Sequence, residues 1–224
     1  MKRFATTLAL LAVFAVPAFS ANAVRISQVY GGGGGTTAAT DFVELFNFSA
    51  APVNIGGWSI HYGSAAGNWN SFAGNVFTFP ANTIIQPCKY LLLAGNVGTG
   101  GAPSIGADFS VSPTTVFNMS GTNGKVMLST AVSANLACGL EAGVIIDKVS
   151  WGSANCSETA ATAVLTAATA AIRNAGGQAD TDNNSADFSV GAPAPRNSAS
   201  PVNASCLITP TSKSTWGAVK SIYR

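Results

Sequence analysis

In this 224-residue chain nine acids, one histidine and four cysteines are the first candidates for chemistry. His61 is the single histidine. It alternates with Ile60 and Tyr62 and reads as a surface histidine on a strand. A Ser-His-Asp site needs a base aligned by an acid. The chain has no G-x-S-x-G frame, and nothing in it places a serine and an aspartate with His61, so no catalytic set is predicted. The acids are scattered outside one cluster, Asp180-Thr181-Asp182-Asn183-Asn184-Ser185-Ala186-Asp187. Asp180, Asp182 and Asn184 have the i, i+2, i+4 spacing of the first half of a calcium loop, with Asp187 as a further oxygen ligand for Ca²⁺. The pattern then departs. Ser185 stands where such loops carry glycine, and residue 191 is glycine in place of a bidentate glutamate. The same residues also form Asx turns, in which carboxylates and amides bond nearby backbone N–H groups. Both readings stay open.

The four cysteines, Cys88, Cys138, Cys156 and Cys206, include no C-x-x-C, and with one histidine they argue against zinc. In an exported chain two disulfides are the default, and four cysteines allow three pairings. We favour Cys138–Cys156, clamping the ends of the strand region 144–151, and Cys88–Cys206, pinning the C-terminal segment to the body.

The stretch that must position these groups is Asp41–Tyr62 (DFVELFNFSAAPVNIGGWSIHY). Its first half sets Phe42, Phe46 and Phe48 on one side and Val43 and Leu45 on the other, as in a central strand covered on both faces. Its second half, entered through Gly56-Gly57-Trp58, alternates Trp58, Ile60 and Tyr62 with Ser59 and His61, as in a half-buried strand. Glu44 is a carboxylate in an apolar strand and needs a partner. Arg25 on a neighbouring strand is one candidate, and a set of backbone amides is another. Further strands are expected at 24–30, 76–79, 89–94, 117–119, 125–129, 144–151 and 170–173, with Asn123-Gly124 marking a turn. Gly31–Gly35 lacks the Lys-Ser/Thr and the following helix of a phosphate cradle and reads as a loop. Trp69 and Phe72, in a polar loop, either fold back onto the sheet or form an aromatic binding tip. Many short strands, frequent turns and no long helix predict an all-β antiparallel β-sandwich.

Lys2-Arg3, the apolar run from Leu8 to Val16 and Ala21-Asn22-Ala23 form the n-region, h-region and cleavage site of a signal peptide, expected over residues 1–23. Without Lys2 and Arg3 the chain carries nine cations against nine acids. Zero net charge gives no electrostatic footprint for nucleic acid. The apolar run from Leu8 to Val16 is too short to span a bilayer, and no second span is expected.

The ordered set ISQVYGGGG, DFVELFN, a Gly-Trp strand, KYLLLAG, GKVMLS, DKVSWGSANCSE, RNAGGQADTDNNSADFS and PAPRNSASP resembles the lamin tail domain of secreted bacterial proteins. The resemblance runs from about Val24 to about Pro201. It implies an immunoglobulin-like sandwich over residues 24–206 and a domain without a catalytic apparatus of its own. In animals that domain serves protein and chromatin contacts; in bacteria it occurs alone or beside exported enzymes. Residues 207–224 read as a linker and a short amphipathic peptide. Trp216, Val219, Ile222 and Tyr223 stand there at helical spacing, either as a docking surface or as a tail packed on its own sandwich. These features predict a secreted or cell-surface, non-enzymatic module that meets an extracellular or cell-surface protein or builds a surface structure. A calcium-stabilised adhesin or carbohydrate-binding module is the alternative. A hydrolase of unfamiliar type would need a pocket gathering Glu44 or the carboxylates of Asp180–Asp187.

Overall fold

The computed structural model describes residues 23–32, 40–71, 73–97, 104–111, 117–132, 136–141 and 143–206. Two sheets face each other. The strands of the larger are β1 (Val24–Tyr30), β2 (Thr40–Asn47), β7 (Tyr90–Val97), β8 (Phe109–Ser110), β11 (Ala170–Arg173) and β12 (Phe188–Gly191). Their order is β12-β11-β1-β2-β7-β8, antiparallel throughout except for the parallel pair β7–β8. The smaller sheet has the order β10-β9-β4-β5, from β4 (Ser59–Ser64), β5 (Val76–Thr78), β9 (Gly124–Ser129) and β10 (Ile145–Trp151). A two-stranded ribbon pairs β3 (Val53–Asn54) with β6 (Ile84–Ile85).

The core lies between the two sheets. Ile26, Val43, Leu45, Leu91 and Leu93 come from the larger sheet and meet Ile60, Tyr62, Val126, Leu128, Val149 and Trp151 from the smaller. Each set alternates along its strand, which is why both sheets can close on one apolar layer. The other face of the larger sheet is covered as well. Phe42 packs with Tyr30, Leu92 and Ala170, and Phe46 stacks on Tyr90 at 4.8 Å between centroids. The central position of β2, expected from its two apolar faces, is thus observed.

Residues 192–206 form a strap across that second face. Ala194 exchanges two hydrogen bonds with the Gln28 amide, Ser198 N donates to Asp108, and Lys89 Nζ donates to Ser200 O. Residues 117–119 are not a strand. They are tied by Asn96 N donating to Phe117 O and by Met119 N donating to the Asp41 carboxylate at 2.7 Å. β12 carries no long apolar run and was not legible in the sequence.

Candidate functional site

Three groups of buried polar side chains hold the chemistry of this molecule. The first lies under the strap. Glu44, at the middle of β2, is fully buried. Its carboxylate accepts from Ser27 Oγ at 2.5 Å, from Arg196 N at 2.7 Å and from Arg196 Nη2 at 2.7 Å. The Arg196 guanidinium also lies 3.9 Å from the Tyr90 ring centroid and donates to the Tyr90 hydroxyl. The partner is therefore Arg196 of the strap, in place of the candidate Arg25. Arg25 instead pairs with Asp180 at 3.0 Å and covers the Phe48 ring. Replacing Arg196 by alanine leaves a buried carboxylate with only neutral donors. We expect a loss of about 2–3 kcal/mol in denaturant unfolding, below the full range for a buried pair because the Arg196 side chain is 32% exposed.

The second group joins β10, β11 and the acidic turn. Asp147 and Arg173, both almost fully buried, pair at 2.5 Å. Asp147 Oδ2 also accepts from Ile26 N at 2.7 Å. Arg173 donates in addition to Ile26 O and Ala179 O, and lies over the Phe188 ring. Burial pushes the Asp147 carboxyl up, and the Arg173 guanidinium and the Ile26 N–H offset part of that rise. Beside them Asn184 Oδ1 accepts from Ser150 N, while Nδ2 donates to Lys148 O and to Glu158 Oε2. Burial, then the negative charge of Asp147, raises the Glu158 carboxyl to about 7.

The four residues of the calcium reading face different partners. Asp180 pairs with Arg25 and stands 3.8 Å from Arg173. Asp182 is exposed in a left-handed turn with φ 54°. Asn184 is the buried hub just described. Asp187 accepts from Thr181 N, Thr181 Oγ1 and Asn183 N. Burial raises the Asp187 carboxyl, but these donors outweigh it and hold it below its usual value. Among the described residues no three His, Cys, Asp or Glu side chains converge to hold a metal ion. Melting curves in calcium and in chelator are expected to coincide; a calcium-dependent rise would show that the turn opens to the ion.

The third group lies on the outer face of the smaller sheet, where Ser59, His61, Lys125, Met127 and Ser129 are all fully buried. His61 is therefore not a surface histidine. A loop pair reaches this face at Lys125, whose Nζ lies 5.1 Å from the Trp69 ring centroid: Trp69 N donates to Leu136 O at 2.8 Å, and Trp69 Nε1 donates to Glu141 Oε1 at 2.9 Å. Trp69 is itself fully buried, so it is not an aromatic binding tip; Phe72 lies outside the described residues. Burial lowers the His61 imidazole to about 4.

His61 and Glu158 tie stability to pH with opposite signs. Between the ordinary histidine value of 6.5 and about 4, the unfolded His61 binds the proton that the folded one refuses, so stability falls as pH drops. Between the ordinary glutamate value of 4.5 and about 7, the folded Glu158 holds the extra proton, so stability falls as pH rises. We expect His61→Gln to gain stability relative to the parent on acidification through the first window, and Glu158→Gln to gain on raising pH through the second. Urea unfolding at stepped pH reads both.

Cys88 and Cys206 stand at a Cα separation of 5.6 Å, and Cys138 and Cys156 at 5.4 Å, each pair joined as a disulfide. The leader expected over residues 1–23 lies, but for Ala23, outside the described residues, as do Trp216, Val219, Ile222 and Tyr223. Among the described residues no helix is long and apolar enough to cross a membrane. At one end of the sandwich a cavity of about 460 Å³ opens between Gly31, Gly32, Tyr62 and the 118–122 segment, and none of its lining residues is charged. Gly31 is needed there, since a Cβ would stand 2.6 Å from Ser120 O.

A search of curated proteins finds no match. Among solved structures, a DUF4876 family protein from Bacteroides thetaiotaomicron shares the fold with a TM-score of 0.54 at 12% identity, over 82% of this chain and 75% of that one. The family model for the Lamin Tail Domain matches residues 17–153, ending before β11, β12 and the strap, which the structure adds to the same immunoglobulin-like sandwich. The match takes in more than half of the sequence, and the chain belongs to the lamin tail domain family.

Proposed function

We propose that the protein is an exported, non-catalytic module that makes protein contacts outside the cell or builds part of a cell-surface structure. One observation carries this reading: the interior ionisable groups are engaged by the frame itself. Glu44 is held by Arg196 and Ser27, Asp147 by Arg173, and Asp41 by the Met119 N–H. The one histidine is buried and held neutral over most of the pH range. A general acid or base must instead face a cleft with its proton available to substrate. The disulfide pairs and the lamin tail family support a role outside the cell.

The test is to follow the full chain in its own cells. Processing at Val24, accessibility to protease added outside intact cells, and inertness toward phosphoester, ester and glycoside substrates are expected. An unprocessed cytoplasmic product, or turnover that a scaffold substitution such as Glu44→Gln abolishes, would overturn the reading. Deletion of residues 207–224 separates the tail from the sandwich as the contact surface. Loss of surface cross-linking on that deletion assigns the contact to Trp216, Val219, Ile222 and Tyr223.

A further inference from the structure

Lys125 is an unusual side chain for its place. It stands in β9 with Gly63 of β4 paired on one side and Ser150 of β10 on the other, and it is fully buried. Lysine is rarely buried to this degree without an opposite charge beside it. None of the ion pairs among the described residues includes Lys125. Its Nζ meets two neutral oxygens, Gly67 O at 2.6 Å and Asn155 Oδ1, and lies 5.1 Å from the Trp69 ring centroid. Glu141, hydrogen-bonded to the indole N–H of that Trp69, is the acid whose charge the ammonium feels.

The surroundings hold amine and amide together. A Cβ at Gly63 would stand 2.6 Å from Lys125 Cε, so a glycine there leaves the lysine its path across β4. Asn155 N donates to Ala65 O at 2.9 Å, the next residue is bridged to Cys138, and Ser153 N donates to Asn123 Oδ1 at 2.8 Å. Groups fixed in contact react as if at very high concentration. Burial disfavours the ammonium and so favours the neutral amine, which is the nucleophilic form.

The geometry points to an intramolecular amide cross-link between Lys125 and Asn155, formed by the folded chain itself. The ammonium gives one proton to water. The Nζ lone pair adds to Cγ of Asn155, and a second proton passes from Nζ to Nδ2. The Cγ–Nδ2 bond then breaks. Ammonia leaves and takes up one proton from water, so the proton lost first is recovered and ammonium is released. No oxidant or cofactor takes part. Asn155 is exposed, which gives the leaving group an exit. The bond ties β9 to the loop after β10, residues 30 apart in sequence, and unlike the neighbouring Cys138–Cys156 bridge it survives reductant.

The test uses the full chain, purified folded, then reduced, alkylated and digested with trypsin for mass spectrometry. The expected product joins the peptides carrying Lys125 and Asn155, is lighter by one ammonia than their sum, and shows no cleavage after Lys125. Lys125→Arg and Asn155→Ala each abolish it. Asn155 is exposed on a loop, so its variant keeps the test decisive if the lysine variant does not fold. Recovery of only unlinked peptides from the folded parent overturns the cross-link, as does a joined product that persists in Asn155→Ala.

Discussion

Asp147→Ala is expected to cost the fold about 3–5 kcal/mol, the range for removing one partner of a buried ion pair. Arg173 is 2% exposed, and its guanidinium would be left without its buried partner. Without Asp147 its remaining acid is Asp180, 3.8 Å away, 28% exposed and shared with Arg25. The Ile26 N–H, which donates to the same carboxylate, would also lose its acceptor. β1 and β10 belong to opposite sheets, so the damage falls on the closure of the sandwich. Asp147→Asn keeps an acceptor for Ile26 and should cost less than the alanine. Replacing both partners by apolar residues should cost less than the single alanine change, because no orphaned charge remains. Denaturant unfolding of the three variants at neutral pH gives the order. An Asp147→Ala loss below about 1 kcal/mol, the worth of an exposed pair, would mean that Arg173 finds water or another partner.

Removing the Cys88–Cys206 bridge, by serine at both positions, is expected to cost about 4–5 kcal/mol, because the cross-link closes a long loop and limits the unfolded chain. The two cysteines are 118 residues apart, against 18 for Cys138 and Cys156, whose removal should cost about 3 kcal/mol on the same reasoning. The long bridge also holds the end of the strap. Asn203 N donates to Cys88 O at 3.0 Å, and Arg196 lies on the same run of chain. The effects of losing the bridge and of Arg196→Ala should therefore not add, since a released strap already withdraws Arg196 from Glu44. Thermal melts of the two bridge variants and of the combined Arg196 variant check both points. A larger loss from the short bridge would place the stabilisation in native contacts of the 130–156 region.

Much of the frame was legible because its signals are local. The strand residues of Val24–Tyr30, the doubly apolar Thr40–Asn47 and the short Ala170–Arg173 each signal a strand from their own few residues. Other pieces were not. Residues 117–119 look like a strand but pair with none, because the Asp41 carboxylate takes the Met119 N–H. His61 and Ser59 look like a solvent face because what buries them lies far along the chain; Ser59 Oγ donates to Ala131 O, 72 positions away.

By its own pattern the sequence determined the two-sheet β-sandwich, the central place of β2, and the need of Glu44 for a partner. The tertiary structure alone decided which partner meets each buried charge. Arg196 reaches Glu44 across 152 positions, and Ile26 reaches Asp147 across 121. The acidic turn likewise draws its donors from Arg25, Arg173, Ser150 and its own backbone. The reason is physical. Backbone propensity and side-chain alternation act within a few residues. The solvation of a buried charge is settled only when distant segments close over it and exclude water.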